Sequence, residues 1–263
     1  MENVVGAALG AKTVIVAVWF SALFALERLR PADRAARKPA GDPSGFRRLG
    51  RNAALWLANF ALSPLVVVPV TAYAASVHAP WRPSWWQGTL GLSLDIVLLD
   101  FLLYWWHRAN HEFPFLWRFH SVHHLDATLD TTTAVRFHFG EVLFSAAARA
   151  GVILLIGFSL ASVLVYETLI LLAALFHHSN ISLTPRFEKL LSRVIITPSI
   201  HWVHHHAVRS DTDSNYGTVF SFWDRMFGSR SRTKRRFGME IGVEGKPEES
   251  LGQLLLHPFR SAR

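Results

Sequence analysis

Apolar residues in this chain come in long unbroken runs rather than in alternation. Val4 to Leu26 is apolar except for Lys12, Thr13 and Ser21, and its 23 residues suffice to cross a hydrocarbon layer of about 30 Å. No basic leader or small-residue cleavage site accompanies it, so it reads as an uncleaved helix. A polar stretch, Arg28 to Arg51, follows. Asn52 to Val77 is the second run, with Pro64 and Pro69 expected to kink it rather than end it. The connector His78 to Gln87 holds one arginine and three tryptophans, a mixture suited to a membrane interface. Gly88 to Trp106 is the third run. Val142 to Phe176 is the last, 35 residues with Gly157 and Ser159 near the middle, long enough for two short crossings or a shallow re-entrant hairpin. The pattern predicts an all-α integral membrane protein with 4–5 membrane-embedded helices. Three regions follow: N-terminal membrane helices with a basic loop (1–87), a histidine-rich region that includes the hairpin 142–176 (88–230), and a basic tail (231–263).

Charge sets the expected orientation. Eight basic residues lie between the first and second runs and one between the second and third. The bias of basic residues toward the cytoplasm therefore places the Arg28–Arg51 loop there. The third run returns to the same side and delivers His107, and the hairpin leaves from and comes back to it. Every histidine cluster thus falls at one boundary, as a helical cap on the cytoplasmic side of the inner membrane. The chain's 51% hydrophobic and 17% charged content agrees with a lipid environment. The net charge of +8 then reads as attraction to anionic lipid, with no nucleic-acid recognition module present. The six basic residues from Arg225 to Arg236 are expected in a solvated tail on that lipid, and Arg149 is expected to pair with Glu141 or a head group.

Fourteen histidines and no cysteine exclude disulfides, thiolate metal sites, iron–sulfur clusters and cysteine nucleophiles. On a helix, Asp100, Tyr104, His107 and His111 share one face. His120, His123 and His124 form an HxxHH pattern, and His201, His204 and His205 repeat it. His178 follows His177 at the end of the hairpin. Imidazoles at i, i+3 and i+4 are how a helix offers several nitrogens to one metal. Nine candidates (His107, His111, His120, His123, His124, His178, His201, His204 and His205) exceed what one ion takes and suit two ions with four or five nitrogens each. His138 and His177 are further possible ligands. His206 is a spare ligand or a solvated neighbour, and His78 and His257 are ordinary surface histidines. An all-nitrogen set leaves iron and zinc both open.

At these residues the chain resembles the fatty acid hydroxylase superfamily, which includes the sterol desaturases. The matching stretches are DFLLYWWHRANH (100–111), LWRFHSVHH (116–124), RFHFGE (136–141), FHHSN (176–180), TPSIHWVHH (197–205) and DSNYGTVFSFWDRMFG (213–228). Family members often read RFHP where this chain reads RFHF. The resemblance implies two iron ions held by the nine histidines. It also implies O2-dependent hydroxylation or desaturation of a C–H bond in a lipid such as a sterol, fatty acyl chain or ether lipid. Metal-bound imidazoles pass their second N–H to a carboxylate or carbonyl, and Asp100, Glu141, Asp213, Asn215 and Asp224 are available for that task, Asp100 and Glu141 foremost. With no flavin, haem or ferredoxin motif in the chain, an external electron donor is expected: a ferredoxin, a cytochrome b5-like protein or a reductase. A zinc-dependent membrane hydrolase and a divalent-metal transporter are the rival readings. Clustering at one boundary, rather than near the midplane, counts against transport.

Overall fold

A computed structural model describes residues 2–34, 45–77 and 82–260; His78 lies outside them. α1 (Glu2–Leu29) is a single helix. α2 (Phe46–Leu62) passes through a wide π turn (Ser63–Val67) into α3 (Val68–Ser76), so the second run is one long rod. Pro64 sits inside that turn and Pro69 in the first turn of α3. The wide turn accommodates the ring that a regular turn would expel. α4 (Gly88–Glu112) runs past the third apolar stretch to include both of its histidines. α5 (Pro114–His124) begins at a proline after one extended residue, Phe113, which turns the chain sharply. A 3-10 turn (Thr131–Val135) leads to the hairpin, α6 (Phe139–Ile156) and α7 (Leu160–His178).

Gly157 ends α6 at φ 74°, a left-handed geometry that favours glycine, and the Ser159 hydroxyl accepts the Ser162 N–H to start α7. The arms of 18 and 19 residues each reach crossing length. Short helices complete the cap: α8 (Pro185–Leu191), α9 (Pro198–His204), α10 (Arg209–Thr212), α11 (Phe222–Met226) and α12 (Leu251–Leu256). Among the described residues there are only isolated β-bridges and no strand. Five segments are long and apolar enough to cross a membrane: Leu9–Leu29, Phe46–Ser76, Gly88–Glu112, Phe139–Ile156 and Leu160–His178. Their outward faces expose Val14, Val18, Leu57, Phe60, Leu65 and Leu155, as lipid-facing helices do.

The two ends of the bundle are built differently. At one end, Arg82 bonds both the Gly157 carbonyl and the Asp95 carboxylate, which also accepts from Trp86 Nε1 (2.9 Å) and Ser162 (2.5 Å). This knot ties the connector to both hairpin arms and α4. At the other end, the C-termini of α1, α4 and α7 and the N-termini of α2 and α6 all meet the histidine cap.

Three expectations are corrected. Arg149 lies 3.6 Å from Glu167, not on Glu141, and Glu167 also takes Lys12 at 2.7 Å. Of the six basic residues from Arg225 to Arg236 five are exposed as expected, but Arg235 is not, and the segment beyond them packs on the cap. Its leucines at 251, 254 and 255 form one apolar face, and that face buries Leu254 against Leu55, Val122 and Leu125. Arg235 lies over the Trp202 ring at 3.8 Å and donates to the Ile181 carbonyl, while Glu248 pairs with Arg51 and approaches Arg136 at 3.5 Å. Nor is all of the positive charge free to attract anionic lipid, since Arg48 is buried at 4% exposure in ion pairs with Asp126 and Asp130.

Candidate metal centre

The last two turns of α4 carry His107 and His111, and α5 lays His120, His123 and His124 beside them. His178 ends α7, while α9 supplies His201 and His204, with His205 as its capping residue. Together they form two groups. His107, His111, His120, His124 and His204 bring one ligand atom each to within 4.8 Å of one another, and so do His123, His178, His201 and His205. All nine predicted candidates fall in one group or the other, and only His107 is more than marginally exposed.

Hydrogen bonding fixes how the rings point. Carbonyl oxygens only accept, so a ring nitrogen facing one carries the hydrogen. By this rule Nδ1–H of His107 donates to the Tyr216 carbonyl (2.8 Å), that of His204 to Ser214 (2.6 Å), that of His123 to Arg136 (3.2 Å) and that of His178 to Ala174 (2.7 Å). His120 Nδ1 donates to Glu141 at 2.7 Å. Each of these rings, in its neutral form, keeps a bare lone pair on Nε2. His123 and His178 aim those lone pairs at each other across 3.1 Å, and the chain of close Nε2 contacts continues to His201 (3.0 Å) and His205 (3.1 Å). Two nitrogens about 2.1 Å from one ion and at right angles to each other lie about 3.0 Å apart, so the spacing fits a shared cation. In the other group, Nε2 of His120 and His204 and both nitrogens of His124 are buried without a protein partner. Buried polar atoms are rarely left so. The donor set and its orphaned atoms therefore fit metal ions, one per group.

Burial, reinforced by neighbouring imidazoles, pushes His123, His124, His201 and His205 well below the ordinary histidine value of 6.5, and His204 to about 3. At neutral pH these rings carry no charge of their own, as ligation requires.

A buried ionic frame holds the loop between α5 and α6. Arg48 donates to Asp126 (2.5 and 2.8 Å) and Asp130 (2.8 Å), and Asn52 to Asp126 (3.1 Å). Arg136 donates to Asn52 (3.0 Å) and the Val122 carbonyl (2.9 Å). Glu27 accepts the backbone N–H groups of Thr131 and Asn180, both at 3.0 Å. Burial alone would raise Asp126 and Asp130, but the Arg48 guanidinium outweighs it and holds both below the usual carboxylate range. Sequence reasoning missed this frame. Its one visible signal was the i, i+4 spacing of Arg48 and Asn52 on one face of α2.

The remaining candidates separate clearly. Glu141 touches His120 as anticipated. Asp100 touches no histidine; it accepts from Tyr166 (2.9 Å), Trp223 Nε1 (2.8 Å) and the Val219 and Phe220 backbone N–H groups. It therefore anchors the segment whose neighbouring carbonyls orient His107 and His204. Asp224 serves the same loop, accepting the Tyr216 (2.7 Å) and Gly217 (3.0 Å) N–H groups, so it is not in a surface ion pair with Arg225. Asp213 sits 3.4 Å from His111 Nδ1 and pairs with Arg209. The Asn215 side chain instead donates to the Ile200 carbonyl. His138 stands outside both groups because both its nitrogens are used: Nδ1 accepts the Gly140 N–H at the start of α6, and Nε2 donates to the Leu255 carbonyl. His177 is also outside, its ring 3.9 Å from that of His201. His206 and His257 pair with Asp211 and Glu249.

A bundle of crossing-length helices capped by two buried histidine clusters defines an integral membrane protein with a candidate double metal centre. The sequence profile described as fatty acid hydroxylase matches residues 92–229, more than half of the chain, and the chain belongs to that family. Among curated proteins it is 31% identical over 196 residues to ornithine lipid hydroxylase OlsE of Rhizobium tropici, covering 74% of this chain and 58% of that protein. It is 33% identical over 153 residues to alkylglycerol monooxygenase of Xenopus tropicalis, covering 57% and 31%. It is 32% identical over 170 residues to very-long-chain aldehyde decarbonylase GL1-7 of rice (Oryza sativa subsp. japonica), covering 60% and 26%. The chain thus spans between about a quarter and three fifths of these relatives' lengths. No solved structure matches it.

Proposed function

We propose that the protein is an O2-dependent lipid oxidoreductase with two iron ions. His107, His111, His120, His124 and His204 would hold one ion, and His123, His178, His201 and His205 the other. The single observation that carries this reading is the facing pair of bare Nε2 atoms on His123 and His178, which a metal ion bound by both reconciles. Two redox-active ions would supply electrons for activating O2, which zinc does not. The relatives named above act on lipids, and that agrees with a centre set at the end of a membrane bundle.

The chain's own contribution is positional. Glu141 and the carbonyls of Tyr216, Ser214, Arg136 and Ala174 hold the Nδ1 hydrogens and so aim the opposite nitrogens inward. Burial keeps water from the rings. The substrate in this reading is a membrane lipid oxidised at a C–H bond by hydroxylation or desaturation, and electrons arrive from a ferredoxin, a cytochrome b5-like protein or a reductase. The cap faces the cytoplasm from the inner membrane. Metal analysis together with O2 consumption on the purified protein tests the reading. Iron near two per chain with lipid-stimulated O2 uptake is expected; native zinc with oxygen-independent turnover overturns it.

A further inference from the structure

α1 packs on α7 while α2–α3 pack on α6, and between them lies a chamber of about 870 Å³. Its volume is in the range of about 300–1,000 Å³ that single small ligands fill. Val16, Phe20, Trp56, Phe60, Leu164 and Leu171 give it an apolar wall. At the cap end the wall reaches Val135 and Ala174. The Ala174 carbonyl holds His178, and the residue after Val135 holds His123, so the chamber ends against the backbone that orients both rings.

Two charged residues share this wall, Lys12 and Glu167, paired at 2.7 Å. Arg149 stands behind Glu167, so the three carry one surplus positive charge. An ammonium has three donors and no acceptor role. Among the described residues the Glu167 carboxylate is the hydrogen-bond acceptor of Lys12, and an ammonium on the chamber wall keeps further donors for a second acceptor. Inside hydrocarbon such donors are costly unless an acceptor meets them. Glu167 precedes His178 by eleven residues on one helix, or about 16 Å at 1.5 Å per residue. That is about half of the roughly 30 Å hydrocarbon core.

We propose that this chamber seats one long hydrocarbon chain of a membrane lipid, and that Lys12 donates to an oxygen of that lipid, fixing how far along the chain the histidine groups reach. The proposal rests on the lipid-oxidising reading for its meaning but not for its test. α1 and α2–α3, which contribute Lys12 and one wall, lie outside the segment that matches the family, whereas Glu167 and the α7 wall lie within it.

Protein extracted with its surrounding lipid in polymer nanodiscs, then analysed by native mass spectrometry, tests it for the wild type, Lys12→Met, Lys12→Arg and Ala17→Trp. Arg149 remains to partner Glu167 in Lys12→Met, and an unchanged melting midpoint by tryptophan fluorescence checks that each variant is folded. The wild type is expected to carry one oxygen-bearing long-chain lipid. Lys12→Met should lower its occupancy at least tenfold, Lys12→Arg should restore it, and Ala17→Trp should abolish it by filling the chamber. Equal occupancy of the same lipid in wild type and Lys12→Met overturns the proposal, as does retention by Ala17→Trp or capture of bare hydrocarbon such as hexadecane in place of an oxygenated chain. If the lipid pattern follows expectation while wild-type protein consumes no O2, the proposed function fails and the chamber assignment stands.

Discussion

His178 and His123 meet Nε2 to Nε2 at 3.1 Å, and with both Nδ1 hydrogens committed to carbonyls the contact is repulsive until a cation divides it. The two groups share no ligand, so their losses should be separable. His123→Ala and His204→Ala are each expected to reduce the metal-to-protein ratio by about one ion, read by elemental mass spectrometry, and to abolish turnover. The same residues set a pH dependence. His123, His124, His201, His204 and His205 are all depressed below 6.5 in the fold. As pH falls through 6.5 the unfolded chain takes up protons that the folded one refuses, so folding stability is lost as pH falls and recovered as it rises. Chelator-treated protein is therefore expected to melt at a lower temperature at pH 5 than at pH 7, measured by tryptophan fluorescence.

Between elements, short polar contacts align the long helices. Asp100 is the clearest case: a carboxylate in the middle of α4 gathers donors from α7, from α11 and from the loop between α10 and α11. Asp100→Ala would leave Trp223 Nε1 and two backbone N–H groups buried without an acceptor. Each such group costs about 1–3 kcal/mol. The expected result is a destabilisation of about 3 kcal/mol or more, seen as a shift in denaturant midpoint. The C-terminal segment makes the opposite, apolar kind of junction. Leu254 is fully buried against α2 and α5, and Leu254→Ala should cost about 2–5 kcal/mol and speed hydrogen exchange in α5. Element positions were readable because period and length are local: four apolar runs became five crossing-length segments, the last run dividing at Gly157 and Ser159, where those residues pointed. The role of α12 was not readable. Six residues with four leucines bury nothing until Leu55 and Val122 are brought to them.

For the molecule as a whole, alternation of helix direction puts every cap-forming terminus at one end and the Arg82–Asp95 knot at the other. The proposed cytoplasmic placement of the cap predicts opposite accessibilities for those ends. The natural chain has no cysteine, so single cysteines report cleanly. Ser84→Cys, beside the knot, should react with a membrane-impermeant maleimide on intact spheroplasts, whereas Lys234→Cys, exposed on the cap, should react only after permeabilisation. The histidine spacing by itself put eight of the nine imidazoles on shared helical faces, because i, i+3 and i+4 do so whatever surrounds the helix; His178 has no such partner in its own helix. Only the tertiary structure decided how they divide into five and four, that Asp100 serves a loop rather than a ring, and that His138 spends both nitrogens on backbone. Those outcomes depend on pairs more than a hundred residues apart, such as His107 with Tyr216 and Asp100 with Trp223. No local period encodes such pairs, because what fixes them is the burial of polar groups that must find partners once water is gone.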